Sequence, residues 1–182
     1  HWTMTDLASV AIGYAVAETP LHILTFYNAI ANKGRMMRPY IVESVEKDGR
    51  IVKKKGPSVL NGAVCSREVA DSLTSGLLSI TSEGTASRLK DAKLRVAGKT
   101  GTAWVYMDPK QASRTDPFMD REGRRKYQAT FVGFFPAEQP KYTAIVVIYS
   151  KPSNEVFFGG TTPALTYRDI VDKIYALDYS YG

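Results

Sequence analysis

The sequence contains a single cysteine, Cys65, so no disulfide can form within the chain. It contains two histidines, His1 and His22, far apart, and no His/Cys/Asp/Glu spacing of the kind that ligates a metal. No metal and no cofactor are therefore expected. Cys65 follows Val64 and precedes a helix start, and it reads as a small, half-buried hydrophobe. No run approaches the ~18 apolar residues that cross a bilayer. A basic stretch followed by an apolar one, the mark of a signal peptide, is also missing. There is no internal repeat, since the Gly-Thr-Ala matches at 84–86 and 101–103 have unlike flanks. The chain opens His1-Trp2 without an initiator Met and is expected to be a processed or cut-out piece of a longer protein.

Charge excludes little more. The chain carries 24 Lys+Arg against 18 Asp+Glu, a formal +6. That mild excess lacks the clustering near aromatics that marks a nucleic-acid surface, so no nucleic-acid partner is expected. The densest basic runs, Lys53-Lys54-Lys55 and Arg124-Arg125-Lys126, adjoin turn-like sequence and are expected in exposed loops. A length of 182 residues, 44% of them hydrophobic, fits one soluble globular domain with a sizeable core.

Punctuation residues divide the chain. In "TPLHILTFYNAIANKG", Thr19 is a good N-cap, Pro20 suits the first helical position and Gly34 the residue past the end. Leu21, Leu24, Tyr27 and Ala31 recur at helical spacing. "YIVESVEKDGRIVKK" reads as a hairpin turning at Asp48-Gly49. A second helix is expected from Ser66 to Ser82, with an apolar stripe of Val69, Leu73, Leu77 and Ile80 and Gly84 at its end. Strands are expected near 94–106, 128–135 and 142–150 and, lacking helical links, should run antiparallel. A last helix follows Thr162-Pro163, with Leu165, Ile170, Val171, Ile174 and Leu177 on its buried side. Residues 107–127 form a long connection of mixed charge, read either as a lid beside Lys99 or as plain surface disorder.

"RVAGKTGTAWV" carries the chemistry. Gly98-Lys99-Thr100 matches the end of a phosphate-binding loop, but the first glycine of that motif falls on Lys93. The residues after Thr100 also read as strand rather than helix. As a strand, the segment places Thr100 and Thr102 on one face, where both hydroxyls can meet one carboxylate. Gly98 and Gly101 leave room for close approach of a substrate. At a sheet edge, the free backbone would pair with an extended peptide, and one N–H would serve as an oxyanion donor.

Taken in order, "IGYAVAETPLHILTFYNAIANKGRMMRPYIV", "SEGTASRL", "VAGKTGTAW", "ATFVGFFPAEQPKYTAIVVIYSKP" and "GGTTPALTYRDIVDKI" resemble the transpeptidase domain of penicillin-binding proteins. The likeness is to the monofunctional, class B type. It implies an α+β fold of the β-lactamase/transpeptidase kind, with an antiparallel sheet packed against helices. It implies a peptidoglycan D,D-transpeptidase that crosslinks stem peptides by serine acyl transfer and binds β-lactams. Lys99 and Thr102 would be catalytic, with the Thr102 N–H forming half of an oxyanion hole. Thr100, Gly101 and Thr102 would bind the D-Ala-D-Ala carboxylate.

The same resemblance implies a parent protein anchored in the bacterial inner membrane, its domain on the periplasmic or outer face. Implied partners are the stem peptide, β-lactams, the missing N-terminal half of the domain, and divisome or elongasome proteins. The family's Ser-x-x-Lys at a helix start and its Ser-x-Asn have no counterpart here. Ser44 with Lys47 lies on an expected strand, and Ser87 with Lys90 stands too close to Lys99. Residues 1–182 therefore read as the C-terminal part of the domain, without its nucleophile. Two rivals remain open: a serine β-lactamase or penicillin-sensing receptor, and a non-catalytic module that holds peptidoglycan or a partner.

Overall fold

The computed structural model describes residues 6–11, 13, 16–153 and 155–181. The readings of His1 and Trp2, and part of the stretch beginning at Ile12, lie outside those residues. In chain order the elements are α1 (Asp6–Ala11), α2 (Pro20–Ala31), β1 (Met36–Met37), β2 (Ser44–Lys47), β3 (Arg50–Lys54), β4 (Val59–Asn61), α3 (Arg67–Ser82), β5 (Ala97–Trp104), β6 (Tyr127–Phe135), β7 (Tyr142–Tyr149) and α4 (Thr162–Leu177). A single 3-10 turn, Ser87–Leu89, separates α3 from β5.

The caps form as the sequence indicates. Thr19 Oγ1 accepts from the His22 N–H at the start of α2, and Ser66 Oγ accepts from the Val69 N–H at the start of α3. Gly34 has φ +89°, and a Cβ there would stand 2.2 Å from the Cys65 carbonyl oxygen. Asp48 and Gly49 both take positive φ, as a tight primed turn requires, and join β2 to β3 in an antiparallel hairpin. The pairing of β1 with β4 was not foreseen.

The central sheet has the order β5-β6-β7, antiparallel throughout. Its faces follow from the register, since opposed residues share a side. Phe131 and Phe135 lie on one face and pack with Ala164, Tyr167 and Val171 of α4. Tyr167 is fully buried, with its ring 4.7 Å from that of Phe131. Ala97 and Phe134 lie on the other face, against Ile30 of α2 and Leu77 and Leu78 of α3. The fold is thus a sheet between helices, with a core on each side.

The buried side of α4 includes Val171 and, packed against the core, Ile174 of the expected set, but it is not centred on that set. Pro163, Ala164, Tyr167 and Val171 are its buried residues, while Leu177 is 63% exposed. On α3, Val69 and Leu73 of the apolar stripe are exposed, and the buried residues are Ala70 and Thr81. The run Arg124-Arg125-Lys126 is no solvated loop either. All three residues are half-buried, and Arg124 and Arg125 are ion-paired to Asp120 and Asp116 at 2.8 and 2.7 Å.

Candidate active-site edge

Strand β5 starts in the core and emerges from it. Ala97 and Gly98 are buried, Thr100 is half-buried, and Lys99, Gly101 and Thr102 are exposed. A Cβ on Gly98 would lie 2.5 Å from the Phe131 ring. The first glycine therefore makes room for the core, not for a substrate as the sequence reading had it. Gly101 is different, since only the Thr130 Cβ at 3.7 Å would meet its side chain.

β5 is an edge strand, with β6 as its only partner among the described residues. The direction of its backbone groups follows from their bonds. The Arg95 carbonyl accepts from the Ala137 N–H, and the Val105 N–H donates to the Lys126 carbonyl, so odd-numbered residues face the β6 side. Even-numbered residues face outward. The Val96 carbonyl accepts from the Thr81 hydroxyl at 2.6 Å, and the Thr100 carbonyl from the Lys99 ammonium at 2.9 Å. By this alternation the Thr102 N–H and C=O also point outward. The edge is thus sealed at Val96 by α3, touched by Lys99 at Thr100, and open beside Thr102.

The structure brings Lys99, Thr100, Gly101 and Thr102 together with residues that the sequence reading did not assign to the site. Thr85 Oγ1 lies 3.1 Å from Thr100 Oγ1, and Lys99 Nζ lies 3.5 Å from the same hydroxyl. The Gly159 N–H donates to Thr102 Oγ1 at 3.2 Å. That bond takes one of the two lone pairs of the Thr102 hydroxyl and leaves its proton available to a ligand. Gly159 and Gly160 press close to the strand. A Cβ on Gly159 would be 2.6 Å from the Gly101 carbonyl oxygen, and one on Gly160 would be 2.0 Å from the Thr85 carbonyl oxygen. The signals for these contacts were the Gly-Thr of "SEGTASRL" and the Gly-Gly of "GGTTPALT", though neither spacing points to β5. The arrangement offers one ammonium, two hydroxyl donors and an outward N–H, a set that suits a carboxylate next to a polarised carbonyl.

The connection 107–126 is folded at the far end of β5. Arg125 places its guanidinium 4.0 Å over the Trp104 ring, and Phe118 packs 4.3 Å from Tyr106 between ring centroids. Asp120 anchors the turn. Burial opposes its charge, but the N–H groups of Arg124 and Glu122 and the Arg124 guanidinium outweigh this and hold its pKa below the ordinary carboxylate value. Ser44 opens strand β2 and Ser87 the 3-10 turn, so neither heads an α-helix, where the Ser-x-x-Lys motif belongs.

The family described as "Penicillin binding protein transpeptidase domain" matches residues 1–172. Stage V sporulation protein D of Bacillus subtilis is 30% identical over 163 residues, which are 87% of this chain and 23% of that protein. Penicillin-binding protein H of the same species is 31% identical over 150 residues, 79% of this chain and 20% of that protein. The chain spans about a fifth to a quarter of the length of these relatives. Among solved structures, penicillin-binding protein 2B of Streptococcus pneumoniae has a TM-score of 0.73 at 21% identity, over 98% of this chain and 28% of that one. At that identity the likeness is one of fold. A ceftriaxone acyl-enzyme complex of penicillin-binding protein A from Mycobacterium tuberculosis has a TM-score of 0.69 at 28% identity, over 91% of this chain and 34% of that one.

Proposed function

Because the chain belongs to the penicillin-binding-protein transpeptidase family, we propose that it forms the C-terminal part of a peptidoglycan D,D-transpeptidase domain. The nucleophilic serine then comes from the part of the domain that precedes these residues. Coverage of 95% of this chain but 52% of the transpeptidase domain of FtsI4 from Legionella pneumophila is consistent with about half a domain. The parent protein is proposed to be membrane-anchored outside the cytoplasm, where its substrate lies, and to work with other division or elongation proteins.

In this reading the serine oxygen attacks the penultimate D-Ala carbonyl carbon. The C–N bond to the terminal D-Ala breaks, and that D-Ala leaves with a proton on its nitrogen. The amine of a second stem peptide then attacks the acyl-enzyme and releases the serine. Thr100 and Thr102 hold the terminal carboxylate, the Thr102 N–H receives the developing oxyanion, and Lys99 supplies positive charge beside the serine. Gly101 keeps the strand low between the two threonines. β-Lactams enter the same reaction because they carry a carboxylate and a strained amide in the same relation.

The observation that carries this reading is the outward-facing edge at Thr102, with two anchored threonine hydroxyls and a lysine beside it. Its test is Thr102→Ala in the full-length protein. The variant keeps the backbone N–H and loses one hydroxyl. Binding of the carboxylate should weaken by about 1–3 kcal/mol, with acylation by penicillin retained. Complete loss of acylation in a folded variant contradicts these roles. Rapid release of the penicilloyl group by the unaltered protein would favour a β-lactamase instead.

A further inference from the structure

We propose that a polar cavity at the opposite end of the sheet from Thr102 receives an acidic side chain, with its flanking peptide amides, from an exposed segment of a partner protein. The cavity has a volume of ≈ 370 Å³ and lies between the end of α2, β1 and the turn that joins β6 to β7. Thr143 on its wall pairs with Phe134, and Phe134 pairs with Ala97. Thr102 stands about 17 Å along β5 from Ala97, so the cavity is separate from the candidate edge. The inference goes beyond the transpeptidase reading and does not rest on it.

Charge sets the sign of the ligand. Arg35 and Lys141 line the cavity, both exposed, and its described lining holds no Asp or Glu. The carboxylates of the adjoining segments are engaged elsewhere. Asp71 pairs with Lys33 at 2.6 Å, Glu138 pairs with Arg95, and Asp178 accepts from the Tyr142 and Ser180 hydroxyls. Lys141 is itself partly engaged, because its Nζ donates to the Ser180 hydroxyl and lies 3.8 Å from Asp178. Among the described residues no ion pair engages the Arg35 guanidinium. The C-terminal end of α2 opposes an anion with about half an elementary charge. The Ala29 and Ile30 carbonyls at that end already accept from the N–H groups of Gly34 and Lys33, and the full charge of Arg35 outweighs what is left.

Geometry sets the class of the ligand. Arg35 is fixed at its backbone, since its N–H donates to the Asn32 carbonyl at 3.1 Å and its own carbonyl accepts from Asn32 Nδ2 at 3.0 Å. Its guanidinium offers a planar fork that matches the two oxygens of a carboxylate. The rest of the lining suits amides. Asn28 Nδ2 donates to Thr143 Oγ1 at 3.2 Å, which leaves the Thr143 proton and Asn28 Oδ1 for a ligand. Asn32 Oδ1 has no bond among the described residues. These two amide oxygens are acceptors, which a peptide N–H satisfies and a bare anion cannot. Met37 and Pro140 add an apolar strip for the methylene groups of an acidic side chain. At ≈ 370 Å³ the cavity falls within the ~300–1,000 Å³ of ordinary ligand sites, which is more than a lone oxyanion fills.

The test titrates the full-length protein with acetyl-Ala-Glu-Ala-amide in a calorimeter, with acetyl-Ala-Gln-Ala-amide as the uncharged control. The glutamate peptide should bind about 10-fold or more tighter than the glutamine peptide, the size of one hydrogen bond to a charged group. Arg35→Ala should weaken its binding by about the same factor. Arg35→Lys should restore only part of the loss, since it keeps the charge and gives up the fork. Lys141→Ala should weaken binding less than about fivefold, as expected of a charge already shared at the surface. Lys53→Ala, on the exposed hairpin, should leave it unchanged. Equal weakening by Lys53→Ala and Arg35→Ala would reduce the effect to overall charge and overturn the site. Tighter binding of inorganic phosphate than of the glutamate peptide would make it a plain oxyanion site and overturn the peptide assignment. Failure of the glutamate peptide to bind overturns the proposal outright, and a lower thermal midpoint in Arg35→Ala would then show the cavity filled from within the protein itself. None of these outcomes touches the Thr102 assignments.

Discussion

Strands β6 and β3 both have sequences suited to a sheet, and their surroundings could hardly differ more. In β6, Phe131, Phe134 and Phe135 are fully buried between α4 on one side and α2 with α3 on the other. In β3 every residue is exposed, and Ile51 stands 58% open to solvent. The exposed face of α3 resembles β3 in this respect. Val69, Leu73, Leu77 and Ile80 line an open apolar groove of ≈ 550 Å³. A two-stranded hairpin without cover is marginal in water, whereas the β5-β6-β7 sheet carries its cover within the same chain. The candidate edge at β5 belongs to the self-sufficient region, so its geometry is set by residues present here.

The packed region should break hardest at Tyr167. Its ring fills the space between Phe131 and Phe135, with centroids 4.7 and 5.8 Å away. Tyr167→Ala should cost about 3–5 kcal/mol, read as a fall in the denaturant midpoint. A loss under about 1 kcal/mol would mean that α4 does not hold the sheet as described.

Tyr167 also shows what pattern reading misses. The last helix was legible from Thr162-Pro163 and its aliphatic spacing, but that spacing favoured Leu165 to Leu177. The buried face is centred instead on a tyrosine, whose hydroxyl makes it read as a surface residue. The strands, the antiparallel pairing and the hairpin turn were legible because β-branched runs and Asp48-Gly49 are local signals. The Lys-Thr-Gly-Thr segment was legible as a candidate site, and its position at the sheet edge matches the expectation. Thr85, Gly159 and Gly160 were not legible as part of it. They reach β5 through tertiary packing, and nothing in their own neighbourhood encodes that contact. The ion pairs of Arg124 and Arg125 escaped notice because their partners, Asp120 and Asp116, look like ordinary loop acids. The stripe on α3 was seen correctly as apolar, but a stripe does not say whether its cover lies in the same chain.

A gentler probe of the packed region lies at its rim. Asp178 caps the end of α4. It accepts from the Ser180 hydroxyl and N–H at 2.6 and 2.9 Å, and from the Tyr142 hydroxyl of β7 at 2.7 Å. The Ser180 hydroxyl foremost, then that of Tyr142, lowers its pKa to about 2. A depressed carboxylate contributes stability above its ordinary pKa of ~4, and loses it as pH falls through the folded-state value. Thermal midpoints measured between pH ~4 and ~2 should therefore fall more steeply in the unaltered protein than in Asp178→Asn. Parallel curves would show that the caps on Asp178 do not form in solution.

The smallest effect is expected on the open hairpin, and it decides what the comparison of β6 with β3 means. Ile51 stands opposite Glu46 in the hairpin, and neither core cluster includes it. If that face meets only water, Ile51→Ala changes stability by less than about 0.5 kcal/mol, as surface substitutions usually do. If a preceding part of the domain lies against it in the full-length protein, the same change removes buried methyl groups and should cost about 2 kcal/mol or more. Measuring Ile51→Ala beside Tyr167→Ala in the full-length protein separates these outcomes. A near-zero value for Ile51 with a large one for Tyr167 leaves the hairpin free. Comparable losses would make the exposed face of β3 a seam with another part of the full-length protein, and the difference between the two strands would then lie in which partner covers each.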